Sequence, residues 1–196
     1  PLELYNLQSD VAEQHDVAND HPDIVAQMQQ ILRKGGWNVT CAVHHADADS
    51  DPQIIHLWPG LYEGTIYGMA VDLGSTTIAA HLCDLRTGEV VASSGLMNPQ
   101  IRFGEDLMSR VSYAMMNPGG DQEMTRAVRD GMDALFTQIS AEAEIDKSLI
   151  MDAVFVCNPV MHHLLLGIDP VELGQSPIAL ATGNRLSLDA RDLELT

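Results

Sequence analysis

Asp72, Gly74, Ser75, Thr76 and Thr77 fall close together in the chain, and their types suit one kind of chemistry, the holding of a phosphate. A glycine lets the backbone approach an anion closely, consecutive N–H groups can form an anion-binding concavity, and hydroxyls add donors. Asp72 can hold a metal ion beside the phosphates, directly or through its waters. The elements that must position these groups are legible. The apolar run Tyr67-Gly-Met-Ala-Val-Asp-Leu73 reads as a strand, and Thr77-Ile-Ala-Ala-His-Leu-Cys83 as a second strand after a tight turn. Arg86-Thr87-Gly88 then turns the chain into a third. A hairpin with a Gly-Ser-Thr turn and an Asp also arises for purely structural reasons, and the turn alone does not separate the two readings.

Other stretches carry chemistry-bearing types. Gln100, Arg102, Glu105, Asp106 and Arg110 make the segment after Asn98 too polar for packing alone. It lines a cleft, faces a partner, or forms the solvated side of a helix. Asn158 stands where a strand ends and Pro159 opens a helix. It is a helix cap or a group that orients water or phosphate, since a neutral Asn cannot act as a base. The loop from His44 to Asp51 holds residue types that bind metals, although an acidic loop between strands is the commoner role of such a run.

Composition narrows the function classes. With 196 residues the chain is long enough for one good domain, or a small one and a medium one. An aliphatic core is expected from 45% hydrophobic but only 5% aromatic content. A net charge of −18 argues against nucleic acid as a partner, because no Lys/Arg stripe is present for phosphate contacts, and against an anionic membrane surface. An acidic protein that holds a nucleotide must build a local positive field from backbone N–H groups, a few basic side chains and Mg²⁺. Cys41, Cys83 and Cys157 are widely spaced, which disfavours a disulfide framework, a zinc site or an iron–sulfur cluster here. Without a signal peptide or a long apolar span, a cytoplasmic location is expected. The chain lacks an initiator Met, and the expectation is a piece of a longer protein.

Taken in order, residues 1–34 form an opening segment. Pro22 starts a helix carrying Ile24, Val25, Met28, Ile31 and Leu32 at helical spacing, and Gly35-Gly36 ends it. Residues 35–66 read as a small β or linker domain with strands Trp37–Val43 and Gln53–Trp58, broken by Pro59-Gly60. Residues 67–196 form the main domain. After the three-strand unit come a helix with a stripe of Leu107, Met108, Val111, Ala114 and Met115, and a longer helix capped by Asp121. The longer helix is expected to bury Met124, Val128, Met132, Leu135, Phe136 and Ile139. Ala153-Val-Phe-Val-Cys157 reads as a buried strand and Met161–Leu166 as a short apolar helix, while the residues beyond Asp169 are dominated by turns. The fold class is therefore α/β, with a small α+β segment in front.

The strand–Asp-x-Gly-Ser-Thr–strand unit at 67–83 resembles the first phosphate motif of the actin, sugar-kinase and Hsp70 superfamily. The element order matches the first half of its ribonuclease-H-like unit. Three phrases are more specific: Ala70-Val-Asp-Leu-Gly-Ser-Thr-Thr77, Asn98-Pro-Gln-Ile-Arg-Phe-Gly-Glu-Asp-Leu-Met-Ser-Arg-Val-Ser-Tyr113 and Cys157-Asn-Pro-Val-Met-His-His-Leu-Leu-Leu-Gly-Ile-Asp-Pro170. Together, over about residues 35–196, they resemble the RACo-like reductive activators of corrinoid proteins, ferredoxins with an actin-like ATPase domain. The resemblance implies ATP and Mg²⁺ as cofactors, and a two-iron two-sulfur cluster in an amino-terminal domain outside this chain. The implied activity is ATP-driven reduction of cobalt(II) to cobalt(I) in a corrinoid protein of a methyltransferase system, with a homodimer as a further expectation. By motif position, Asp72 would place Mg²⁺, and Gly74, Ser75, Thr76 and Thr77 would touch the phosphates. Asn158 would sit where the superfamily often has a water-orienting or catalytic carboxylate. His162 or His163 could reach a corrinoid cobalt, but a packed or surface role is the commoner one for a His among Leu and Met. The second phosphate motif and the Gly-Gly adenosine motif are not found, so the chain holds one wall of a two-walled site and is expected to bind nucleotide weakly when alone. A non-catalytic docking module and a sugar- or acyl-kinase relative are the alternatives. Residues 1–34 separately resemble the carboxy-terminal tail of type I sulfatases, without the Cys-x-Pro-Ser-Arg active-site sequence.

Overall fold

The computed structural model describes residues 3–6, 9–45 and 52–195. The chain forms two compact units, Pro1–Gly64 and Thr65–Thr196. In the first unit, helix α1 (Pro22–Lys34) packs on an antiparallel hairpin of β1 (Val39–His44) and β2 (Gln53–Pro59). Asp23 in the first turn and Arg33 and Lys34 in the last complement the helix dipole. The ring of Trp58 stacks on that of Tyr62, with centroids 4.3 Å apart and planes within 8°. Two expectations change here. No residue of α1 is fully buried, so its apolar stripe is only half covered within this unit. The first strand begins at Val39 rather than Trp37, because Gly36 and Trp37 both take left-handed backbone (φ 59° and 67°), which no strand residue can. The helix and the hairpin, read as separate segments divided after residue 34, share this one unit. The acidic loop proposed as a metal-ligand set, His44 to Asp51, lies mostly outside the described residues, since 46–51 are not among them.

The second unit is built on a four-stranded sheet in the order β5-β4-β3-β6. Strands β3 (Tyr67–Leu73), β4 (Thr77–Asp84) and β5 (Val90–Met97) form an antiparallel meander, and β6 (Ile150–Cys157) runs parallel to β3. Between β5 and β6 lie a 3₁₀ turn (Pro99–Phe103), α2 (Leu107–Met116) and α3 (Gly120–Glu142). Helix α4 (Pro159–Leu166) follows β6. The period-two alternation of the strands sends Met69, Val71, Leu73, Ile78, Ala80 and Leu82 to one face. There they form one core with Met124, Val128, Met132, Leu135, Phe136 and Ile139 of α3, the face expected from its spacing, all buried.

Local details depart from expectation for physical reasons. Gly119 is the N-cap of α3, in left-handed conformation (φ 82°). Asp121 therefore lies inside the first turn, where its charge still suits the dipole, and does not cap. Strand β6 is half-buried on one face and exposed on the other. Ala153, Phe155 and Cys157 turn toward the core, while Val154 and Val156 are exposed on the other side of the sheet with Ala70, Asp72 and His81. In α2 the buried residues are Arg110 and Val111, whereas Met108 and Met115 of the expected stripe are exposed. Among the described residues, no helix is long and apolar enough to cross a membrane.

Candidate phosphate-binding site

Strands β3 and β6 are parallel and end together, with Leu73 beside Cys157. The Gly74–Thr76 turn and Asn158 therefore leave the sheet at the same edge. In open α/β sheets, ligands collect outside the carboxyl ends of parallel strands, and this is where the sequence motifs converge.

Gly74 is required by a close approach. A Cβ there would lie 2.5 Å from the Thr77 carbonyl oxygen, which is backbone and cannot rotate away. Ser75 is half-buried, and Thr76 and Thr77 are exposed. Among the described residues no acceptor takes the N–H of Ser75 or Thr76, and no partner engages the hydroxyls of Ser75, Thr76 or Thr77. Asp72 is exposed on the open face of the sheet, one residue before the end of β3. Its charge, after burial, is the second cause that pushes the Cys157 thiol up from its ordinary range. The arrangement offers unclaimed amide donors, hydroxyl donors and a nearby carboxylate, a donor set that suits phosphate oxygens together with a divalent cation.

The turn is braced from behind by the segment that looked too polar to pack. Asn98, 1% exposed, donates from Nδ2 to Gly74 O (2.8 Å) and from its backbone N–H to Thr76 O (2.8 Å). Arg110, fully buried, donates from Nη2 to Ser75 O, from Nε to Gly104 O (3.0 Å) and from Nη1 to Gln100 Oε1 (3.2 Å). Gln100 is itself fixed by donating from Nε2 to Met124 O of α3 (2.9 Å). Burial pushes the Arg110 guanidinium below its ordinary range, opposed by Asp106, but an arginine remains protonated. Gln100 and Arg110 are thus interior residues, neither solvated nor lining a surface. The spacing concealed this, because Arg110 shares its helical turn with Met108 and Val111, and an apolar stripe was the simpler expectation.

Asn158 caps α4: its Oδ1 accepts from the N–H of Met161 (3.0 Å). With that oxygen engaged, the side-chain NH₂ is what it can offer a ligand. Met161 joins the two motifs, its sulfur accepting from Arg110 Nη1 (3.2 Å) and Asn98 Nδ2 (3.6 Å). His163 is buried, with Nδ1 bonded to Pro159 O (2.8 Å) and Nε2 accepting the Ala181 N–H (3.1 Å). Both ring nitrogens are spent, so His163 is a packing residue and cannot serve as a cobalt ligand. His162 is half-buried, and burial, then His163, pushes it below its ordinary range. Among the described residues, no three His, Cys, Asp or Glu side chains are grouped to hold a metal ion. Cys83 lies beside Gly68 and Cys157 beside Leu73, at opposite ends of β3, and Cys41 lies in the other unit. They form no cluster ligand set.

Comparison with known proteins bears on the family and the fold. A family model described as the RACo middle region matches residues 67–196, and one described as the RACo linker region matches residues 3–64. The corrinoid activation enzyme RamQ of Eubacterium limosum is 32% identical over 133 residues, covering 68% of this chain and 22% of that protein. A solved structure of a reductive activator for a corrinoid, iron–sulfur protein superposes with a TM-score of 0.75 at 27% identity, over 100% of this chain and 32% of that one. The chain therefore spans less than a third of the length of these relatives. The superposition makes the sheet and its helices part of an actin-like, ribonuclease-H-like fold. The linker match takes in both the segment whose wording resembles a sulfatase tail and the hairpin after it.

Proposed function

Because the chain belongs to the RACo family, whose linker and middle regions it matches, we propose that it supplies one wall of an ATP site. In the complete protein that site drives reduction of cobalt(II) to cobalt(I) in a corrinoid protein of methyl transfer. The observation that carries the reading is the turn itself: carbonyls tied back to Asn98 and Arg110, with the N–H groups of Ser75 and Thr76 unclaimed. In this reading those amides and the hydroxyls of Ser75, Thr76 and Thr77 grip the phosphates, as charge-assisted bonds that are stronger than neutral ones. Asp72 holds Mg²⁺ directly or through its waters. Bound Mg²⁺ would neutralise charge developing on the transferred phosphoryl group. Asn158, through its NH₂, orients a phosphate oxygen, and no proton transfer is assigned to it. The electrons for cobalt arrive from outside these residues, whose cysteines form no ligand set.

The test is Gly74→Ala in the complete natural protein, assayed by the appearance of cobalt(I) absorbance in the corrinoid partner. The Cβ would force the turn off the Thr77 carbonyl. Losing one amide–phosphate bond, worth about 1.5–3 kcal/mol, predicts a loss of roughly ten- to a hundredfold in ATP affinity. Unchanged ATP binding and cobalt reduction would leave the unit as a docking module.

A further inference from the structure

The phosphate turn is held from beneath by groups that the family resemblance assigns no role. Its three successive carbonyls each meet a donor from the Asn98–Arg110 segment: Gly74 O meets Asn98 Nδ2, Ser75 O meets Arg110 Nη2, and Thr76 O meets the Asn98 N–H. In a planar trans peptide the N–H points opposite to the carbonyl it follows. Drawing carbonyls inward therefore drives the following N–H groups outward, toward the side where Thr76 and Thr77 are exposed.

Arg110 adds charge to this geometry. Its guanidinium is fully buried, and its partners are neutral: two backbone carbonyls, the Gln100 amide oxygen and the Met161 sulfur. Among the described residues it has no carboxylate in an ion pair. Asp106, whose charge acts on it, is exposed, and its Oδ1 accepts the Ser109 N–H. Burying a charge without a counter-ion is strongly unfavourable. A neutral side chain of similar length, such as Met, would fill this position without that penalty, so the placement calls for a function that uses the charge.

We infer that Asn98 and Arg110 are positioning residues for the phosphate turn, and that Arg110 is its buried counter-charge, lacking an anion until an oligophosphate lies across the far side of Gly74–Thr77. Because the guanidinium and the phosphates would be separated by protein and not by water, their attraction is weakly screened. The inference rests on the reading that phosphates bind at this turn, and it makes a claim that reading does not. The benefit of Arg110 should grow with the number of phosphates and vanish for the nucleoside.

The experiment measures dissociation constants of the complete protein for ATP, ADP, AMP and adenosine, with wild type, Arg110→Met and Arg110→Lys. Arg110→Met should weaken ATP by about tenfold or more, ADP by less, and adenosine not at all. Arg110→Lys keeps a cation but cannot span the same acceptors, so it should fall between Met and wild type. Equal loss for all four ligands, or no loss for ATP, overturns the inference. If Arg110→Met does not fold by circular dichroism, the graded loss across the four ligands in Arg110→Lys decides on the same criterion. A wild-type protein that binds ATP no better than adenosine would instead overturn the underlying phosphate reading, so the two failures are distinguishable.

Discussion

Asp72→Ala in the complete protein is expected to lower Mg²⁺-dependent ATP turnover on the order of a hundredfold or more, because a carboxylate that places a catalytic metal contributes several kcal/mol to the transition state. The substitution is a clean one. Asp72 is exposed on the open face of β3 and its side chain makes no hydrogen bond among the described residues, so stability should change by no more than about 0.5 kcal/mol. Its effect should therefore appear in the metal dependence of turnover and not in the unfolding midpoint. Turnover and cobalt reduction equal to wild type, with the same Mg²⁺ requirement, would return Asp72 to the role of an ordinary strand-end residue. The turn would then be a hairpin connection.

Leu135→Ala should have the largest effect on stability, about 2–5 kcal/mol. Leu135 is 0% exposed and lies on the buried face of α3, among Met132, Phe136 and Ile139, in the core shared with the inward residues of β3 and β4. Interiors are close-packed, so truncation leaves a cavity as well as losing apolar burial. The same substitution at Met108, exposed on α2, should cost no more than about 0.5 kcal/mol. Urea unfolding followed by far-ultraviolet circular dichroism compares the two. Equal midpoints would contradict the assignment of α3 as the spine of the unit.

Much of this was legible in the residues. The period-two runs around Gly74, the 3.6-residue spacing of Met124 to Ile139 and the Asn158-Pro159 helix start each follow from local rules that tertiary structure left in place. What was hidden depended on partners distant in sequence. Arg110 is buried because Ser75, 35 residues away, and Gln100, 10 residues away, supply acceptors for it. Nothing in the spacing of α2 favours an arginine over Met108 as the inward residue. Asn98 likewise shows its importance only when Gly74, 24 residues earlier, is brought against it. The apolar run at Ala153–Cys157 resembled a strand covered on both faces, as parallel strands usually are, yet Val154 and Val156 lie on a sheet face that these residues leave open. The late start of β1 was hidden by Trp37, a good strand former by propensity that here occupies a left-handed turn.

The central claim is that the Gly74–Thr77 turn holds nucleotide phosphates through backbone amides aimed outward by Asn98 and Arg110. The most direct measurement is a crystal structure of the complete protein with a non-hydrolysable ATP analogue and Mg²⁺. The account predicts phosphate oxygens within hydrogen-bond distance of the N–H groups of Ser75 and Thr76, with the metal or one of its waters on Asp72. Phosphates bound elsewhere, with the turn unliganded, would contradict it.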